Sequence, residues 1–466
     1  MADERAPREQ RFEARMTDAE ALMWNVEKDP WLNPNGGVVV VLDGPIAMDD
    51  FERRIRFAVC EVPRLRDHVV STLGRWSPPL WRPDAEFDLS FHLRRLALSP
   101  PGTERQLLDL VVQLYQDPFD RSRPLWQFFV IEGLEGGRSA LFWKLHHAVS
   151  DGIGMGYLAE YHIQRTADAA PAPTVDLDAV LAAAVEADRV SSERPPIPTA
   201  IANTAGHLLR RQAGIGRRVM GEMALWGADP NRAVDAVNGV AKTVGQVRRQ
   251  MFLGGGGDDG GGSPLWRERS RHRRLEVFDI PLEAVSAAAK KLGGSINDLF
   301  VTAAVNAVVA YHDRAGAPVQ AINLSFVVST RTDRAIGGNS FTPTRLKVPG
   351  GEMTPQQRLV EVRDRMAARR AEVSGQGMLA TLAGVANLLP TSLVTRTARS
   401  QARRQDFATS NVRGARQERF VSGARMEAQY AFGPVAGTAF NLTTVSYNGQ
   451  LGHGLFVDPV AVAEPA

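Results

Sequence analysis

The sequence predicts an α/β (α+β) protein of two lobes with mixed sheets, joined by a helical connector. Three observations lead there. The chain has 466 residues, too many for one ordinary core, and length alone suggests roughly two to three domains. Both halves carry short runs of β-branched and aromatic residues, bounded by turn residues and followed by helical spacing. Between them the character changes: residues 166–265 are first rich in alanine and proline, then helically patterned, then a run of glycines. The predicted division is therefore 1–165, 166–265 and 266–466.

In the first lobe Thr17 caps a short helix running to about residue 24. Residues 37–42 form a β-branched strand, and 49–60 a helix with Phe51, Ile55, Phe57 and Val59 as its apolar positions. A strand follows at 68–71, and an amphipathic helix at 106–116 with Leu107, Leu110, Val111 and Leu114 at helical spacing. Residues 125–133 read as a strand that turns at Glu135-Gly136-Gly137-Arg138. The return strand, 140–145, is apolar throughout, the pattern of a strand buried on both faces.

The connector has helical patterns at 175–190, 199–226 and 231–252. Arg210, Arg211, Arg217, Arg218, Arg248 and Arg249 punctuate the last two. That arrangement suits either a helix lying on an anionic bilayer or the solvated face of a bridge between lobes. The glycine run at 254–262 has no GK[ST] after it and no strand before it, so it is a flexible linker and not a phosphate loop. In the second lobe, strands are expected at 273–280 and 321–329, and helices at 282–292, 297–311 and 356–373, with Ser295 capping the second. A hairpin joins 438–447 to 450–457 across Asn448-Gly449.

Composition narrows the function classes. Hydrophobic residues are 44% and charged residues 23%, as in ordinary globular proteins, which excludes wholesale disorder. A net charge of +3 argues against a nucleic-acid partner, although local arginine clusters, as at 396–404, suit headgroups or coenzyme phosphates. The single cysteine, Cys60, excludes an internal disulfide, suits a reducing cytosol and reads as a small core residue. The first 15 residues are charged and lack the apolar core of a signal peptide. The apolar-leaning stretch 377–394 is interrupted by Asn387 and Pro390, short of the ~20 residues a spanning helix needs. A cytoplasmic protein is expected.

The chemistry gathers where the 140–145 strand ends, in His146-His147-Ala148-Val149-Ser150-Asp151-Gly152. Successive strand residues point to opposite faces, so one imidazole is the working group and the other a structural neighbour. Histidine is the side chain best suited to take a proton from a neutral nucleophile near pH 7. The plainer reading of such a pair is a satisfied polar spot at a strand end. A zinc site is a further reading, but no second His or Cys cluster stands at ligand spacing. Ser150 is too close in sequence to His147 to act as its nucleophile.

This HHxxxDG pattern resembles the active-site signature of the coenzyme A-dependent acyltransferase superfamily, which includes the condensation domains of peptide synthetases. Pro124-Leu125-Trp126, after Asp117-Pro118-Phe119-Asp120, is similar to the PLW motif of one branch, the bacterial wax ester synthase/acyl-CoA:diacylglycerol acyltransferase family. Ser295-Ile296-Asn297-Asp298 resembles that family's ND motif, and Thr330-Arg331-Thr332-Asp333 with Gly337-Gly338-Asn339 its arginine-and-GN segment. Ser410-Asn411-Val412-Arg413-Gly414 stands where the family carries NVPG, with arginine replacing proline. The resemblance covers residues 16–458.

It implies two chloramphenicol-acetyltransferase-like lobes with an active-site tunnel between them. Acyl-CoA and a diacylglycerol or fatty alcohol enter as substrates; no cofactor and no metal are implied. His147 is the implied general base, with His146, Asp151 and Gly152 completing the motif. Asn297 and Asp298 are implied in substrate or oxyanion binding, the alternative for Asn297 being capping and inter-lobe hydrogen bonding. Arg66 is implied to hold Asp151, the alternative being a solvated cation, and Pro124, Leu125 and Trp126 are scaffold. Peripheral attachment to a membrane or lipid droplet fits such substrates. The rivals are a lipid-surface or acyl-binding protein without turnover and a condensation-type enzyme using carrier-bound acyl groups.

Overall fold

The computed structural model describes residues 12–72, 77–150, 152–191, 263–329, 341–373, 386–387 and 389–464. The connector patterns beyond residue 191, its glycine run, and the segments 330–333 and 337–339 lie outside the described residues.

The first half begins with helix α1 (Asp18–Val26), whose N-cap Thr17 forms a capping box with Glu20. Strand β1 (Asn35–Leu42) is buried along its whole length. Helix α2 (Met48–Glu61) buries Phe51, Ile55, Ala58 and Val59, the i, i+4, i+7, i+8 stripe of a helix on a core. Strands β2 (Asp67–Val70) and β3 (Leu80–Pro83) make a small hairpin of their own. A helical turn α3 (Leu89–His92), strand β4 (Leu93–Ala97) and helix α4 (Glu104–Gln116) lead to β5 (Trp126–Leu134) and β6 (Arg138–His146). Helices α5 (Gly152–Ala159) and α6 (Leu177–Ser191) follow.

The second half contains β7 (Arg274–Pro281), α7 (Leu282–Lys291), α8 (Ile296–Arg314), β8 (Ala321–Ser329), β9 (Phe341–Pro349), α9 (Pro355–Val373) and α10 (Thr391–Arg403). It ends with β10 (Phe407–Val412), β11 (Phe420–Val421), β12 (Ala424–Phe432), β13 (Phe440–Tyr447) and β14 (Gln450–Val457). The β13–β14 turn is at Asn448-Gly449, both at positive φ, as a two-residue hairpin loop requires.

Two six-stranded sheets result, ordered β11-β12-β1-β6-β5-β4 and β7-β14-β13-β10-β8-β9. Both are mixed: β4–β5 in the first and β10 with β8 and β13 in the second are parallel, the other pairs antiparallel. The linear division at residue 266 does not hold in space. Strand β12 belongs by sequence to the second half but pairs with β1 in the first sheet.

Glycine makes this crossing possible. A Cβ at Gly452 or Gly454 of β14 would sit 2.3 Å from the carbonyl oxygens of Gln429 or Ala431 of β12, well inside van der Waals contact. The Tyr430 hydroxyl donates to Asp279 of β7 at 2.6 Å, and the Tyr447 hydroxyl to the Met426 carbonyl at 2.9 Å. One core therefore mixes the halves: Leu275 and Phe456 pack with Val39, Val111 and Phe142. Cys60 is only half-buried and carries a free thiol. Phe57 likewise lies half-buried at the margin of α2.

Candidate active site

Strand β6 delivers the two histidines to opposite sides. It pairs with β1 from Ser139 opposite Leu42 to His146 opposite Asn35. Its last backbone bond runs from the His146 N–H to the Leu125 carbonyl at 3.0 Å. Beyond it the chain turns, with the His147 N–H donating to the Pro34 carbonyl at 3.2 Å.

His146 is fully buried. Its Nδ1 accepts from the Ala148 N–H at 2.9 Å, which places the ring proton on Nε2, facing the Glu27 carboxylate at 3.6 Å. Arg121 meets Glu27 at 2.7 Å and lies over the Trp24 ring at 3.3 Å. Burial pushes the Glu27 carboxyl up, but the His146 contact and the Arg121 and Lys144 charges outweigh it and hold the carboxyl low. Lys144 lies on the same face, donating to the carbonyls of Leu114 and Asp117 at 2.9 Å each, where α4 ends. Burial lowers its ammonium to about 8.

His147 lies half-buried on the other side. A Cβ at Gly36 would sit 3.6 Å from its Nε2 and 3.7 Å from the Met155 sulfur, so any longer side chain at 36 would occupy the space beside the ring. The motif's last residue, Gly152, opens α5. A Cβ there would touch Val412 at 3.6 Å, which brings the histidine loop against the end of β10 from the second half. Next to Val412, Asn411 donates to the Asn297 Oδ1 at 3.3 Å. With its oxygen engaged, the Asn297 amide presents its N–H groups as donors.

Asp298 has a different place. It is buried and closes a capping box with Ser295: its N–H donates to the Ser295 Oγ at 3.2 Å and its Oδ2 accepts from the Ser295 N–H at 2.9 Å. That work belongs to the helix N-terminus. Arg66 donates to the carbonyls of Val59 and Cys60, both at 2.7 Å, and so closes the end of α2; it is not a solvated cation. Asp151, its expected partner, lies outside the described residues.

The PLW residues are buried. Leu125 receives His146, and the Trp126 indole donates to the Leu65 carbonyl at 2.7 Å while stacking on His92. Arg413 in place of proline leaves β10 paired with β13 as far as Val412 opposite Val445. Sequence reasoning assigned no role to Gly36, Asn411 or Met155. The glycine pair at 36–37 ahead of a valine run was the one available signal, because a strand seldom opens on two glycines without a close approach to accommodate. Among the described residues no group of three or more His, Cys, Asp or Glu is placed to hold a metal ion.

Two family models match the chain: the wax ester synthase/diacylglycerol acyltransferase catalytic domain over residues 16–300, and the C-terminal domain of the same family over 337–466. The chain belongs to the wax ester synthase/diacylglycerol acyltransferase family. A Mycobacterium tuberculosis relative, provisionally named a diacylglycerol O-acyltransferase, is 31% identical over 440 residues, 92% of this chain and 84% of the relative. A second from the same organism, named likewise, is 30% identical over 445 residues, 93% and 87% of the two chains.

Solved structures show the fold of the family. The wax ester synthase/diacylglycerol acyltransferase from Marinobacter aquaeolei VT8 superposes with a TM-score of 0.59 at 19% identity, covering 96% of this chain and 94% of its own. The first condensation domain of the calcium-dependent antibiotic synthetase gives 0.56 at 16%, covering 97% and 92%. This family member therefore has the two-lobed acyltransferase architecture that its motifs imply.

Proposed function

We propose that this protein transfers a long-chain acyl group from acyl-CoA to the hydroxyl of a diacylglycerol or fatty alcohol, with His147 as general base. The observation that carries the reading is the position of His147, at the junction where Gly152 of its own loop meets Val412 of the second half. An alcohol has a pKa far above 7, so its proton must leave as the new C–O bond forms. A positioned base contributes about 10²- to 10⁴-fold to such a step. His147 takes the proton as the alcohol oxygen attacks the thioester carbonyl. The tetrahedral intermediate then expels the thiolate of coenzyme A, which recovers the proton. No acyl-enzyme is needed.

Asn297 serves the other pole of the reaction. Its amide N–H groups, aimed by Asn411, stabilise the negative charge that develops on the carbonyl oxygen. Asp298 contributes indirectly, by fixing the helix turn that bears Asn297. Arg66 contributes as scaffold, by closing the end of α2, and Asp151 and Gly152 complete the motif. Both lipid substrates concentrate in bilayers and lipid inclusions, so the protein works at such a surface from the cytoplasmic side. Among the described residues no single helix is long and apolar enough to cross a membrane.

The test is to incubate purified protein with labelled palmitoyl-CoA and either diacylglycerol or hexadecanol, then chromatograph the lipids. Labelled triacylglycerol or wax ester is expected. Product formation unchanged in His147→Ala, or absent from the wild type with every acceptor, overturns the reading.

A further inference from the structure

Helices α9 and α10 are both rich in arginine, and they handle that charge differently. On α9, Arg363, Arg365 and Arg369 each meet a carboxylate, Asp364 at 2.9 Å, Glu361 at 2.5 Å and Glu372 at 2.7 Å, the balanced pattern of a helix face in solvent. α10 carries Arg396, Arg399 and Arg403, Arg404 follows at its end, and the helix has no aspartate or glutamate. Among the described residues the one carboxylate that Arg396, Arg399 or Arg403 reaches is Asp29, 3.9 Å from Arg399.

At about 3.6 residues per turn, Leu393, Arg396, Arg399, Ser400 and Arg403 share one side of α10, and Val394, Thr395 and Gln401 the other. The second side is buried, and Arg345 of β9 donates to Gln401 there. The first faces solvent: Arg396 and Arg403 are exposed, and so is Leu393, at 39%. The first half adds an aromatic to it. Trp31, half-buried, lies under the Arg399 and Arg403 guanidinium groups, 4.6 and 5.3 Å from its ring. An indole, an exposed leucine and a row of arginines about 15 Å long make an interfacial surface, since aromatic rings favour headgroup depth and basic amphipathic helices lie on anionic lipid. A row of that length fits a plane of headgroups better than one small anion. It also stands close to the chemistry. Trp31 comes three residues before Pro34, whose carbonyl holds the His147 N–H, a span of at most about 11 Å. α10 leads into β10, which ends at Val412 beside Gly152.

We propose that the exposed face of α10, with Trp31, docks the protein on an anionic phospholipid bilayer and so brings the junction at His147 to the surface where the acyl acceptor lies. The inference rests on the acyl-transfer reading for why a lipid surface is approached, but its main test needs no turnover. The purified full chain is floated with vesicles of phosphatidylcholine, or of an equal mixture with phosphatidylglycerol. Binding to the mixed vesicles alone is expected, weakening as salt rises. One basic residue at an anionic surface strengthens binding about fivefold, so Arg396→Glu/Arg403→Glu should bind at least about 20-fold more weakly, with an unchanged melting temperature. Arg365→Glu/Arg369→Glu makes the same change in net charge on α9 and should bind as wild type does.

Flotation of the wild type with neither vesicle, mixed-vesicle binding unchanged in the α10 variant, or an equal loss in the α9 variant overturns the proposal. Turnover separates the two readings. In neutral detergent micelles of palmitoyl-CoA and diacylglycerol the α10 variant should make ester as fast as wild type, and on anionic vesicles more slowly. A raised KM for palmitoyl-CoA in the micelles assigns the arginines to coenzyme phosphates and overturns the docking face. Selective flotation without ester from any preparation keeps the face and removes the transfer activity; ester in micelles without flotation does the reverse.

Discussion

The two faces of β6 carry opposite fillings. On one, Lys144 and His146 lie among polar groups: two helix-end carbonyls, a backbone N–H, the Glu27 carboxylate and, behind it, Arg121. On the other, Trp143 and Leu145 border an apolar cavity, and His147 sits beside a glycine and a flexible methionine. The same residue type thus meets a buried carboxylate on one face and a glycine and a methionine on the other.

The largest expected effects come from removing each histidine in turn. His147→Ala is expected to lower transfer by about 10²- to 10⁴-fold while thermal melting stays within about 2 °C of wild type. His146→Ala should do the reverse, leaving Glu27 buried without its ring partner. The expected loss is about 3 kcal/mol of unfolding free energy in urea titration, with a smaller fall in kcat. If both variants lost activity alike and neither lost stability, the division of labour would be wrong.

Lys144 sharpens the crowded side through pH. Its folded pKa of about 8 lies below the ordinary 10.5, so between those values the unfolded chain binds more protons than the folded one. Stability then rises with pH over that window and is lost as pH falls toward 8. The shift corresponds to about 3 kcal/mol. Urea midpoints at pH 8 and 10, compared with Lys144→Met, check it: the difference should shrink in the variant.

Smaller effects test the second-half contribution. Asn297→Ala should lower kcat about 10²-fold with little change in KM, as for loss of one oxyanion donor. Asn411→Ala, which leaves the donor in place but unaimed, should cost about tenfold. An effect on KM alone in either variant would assign these amides to ground-state binding.

Much of this was legible in the residues. The capping box at Thr17, the helical stripe of α2, the β5–β6 hairpin and the Asn448-Gly449 turn each follow from local propensity and period, which act within a few residues. Strands β4, β9, β10 and β12 did not declare themselves. In β12, Ala424-Arg425-Met426-Glu427-Ala428-Gln429 alternates apolar with polar residues but carries no β-branched or aromatic one, which leaves the strand signal weak. The resemblance to the ND motif implies a substrate role for Asn297 and Asp298 together. The first turn of α8 sends one to the cap and the other to the lobe junction.

From the sequence alone came the expectation of two α/β halves around a connector, of His146-His147 as the place for the chemistry, and of strand alternation separating the two rings. What surrounds each ring depends on the tertiary structure, because Glu27, Arg121 and Pro34 arrive from elsewhere in the chain. The same holds for the transfer of β12 into the first sheet and for the Asn411–Asn297 contact. Local sequence fixes which faces a strand has; what covers each face is fixed by long-range packing, which no short stretch encodes.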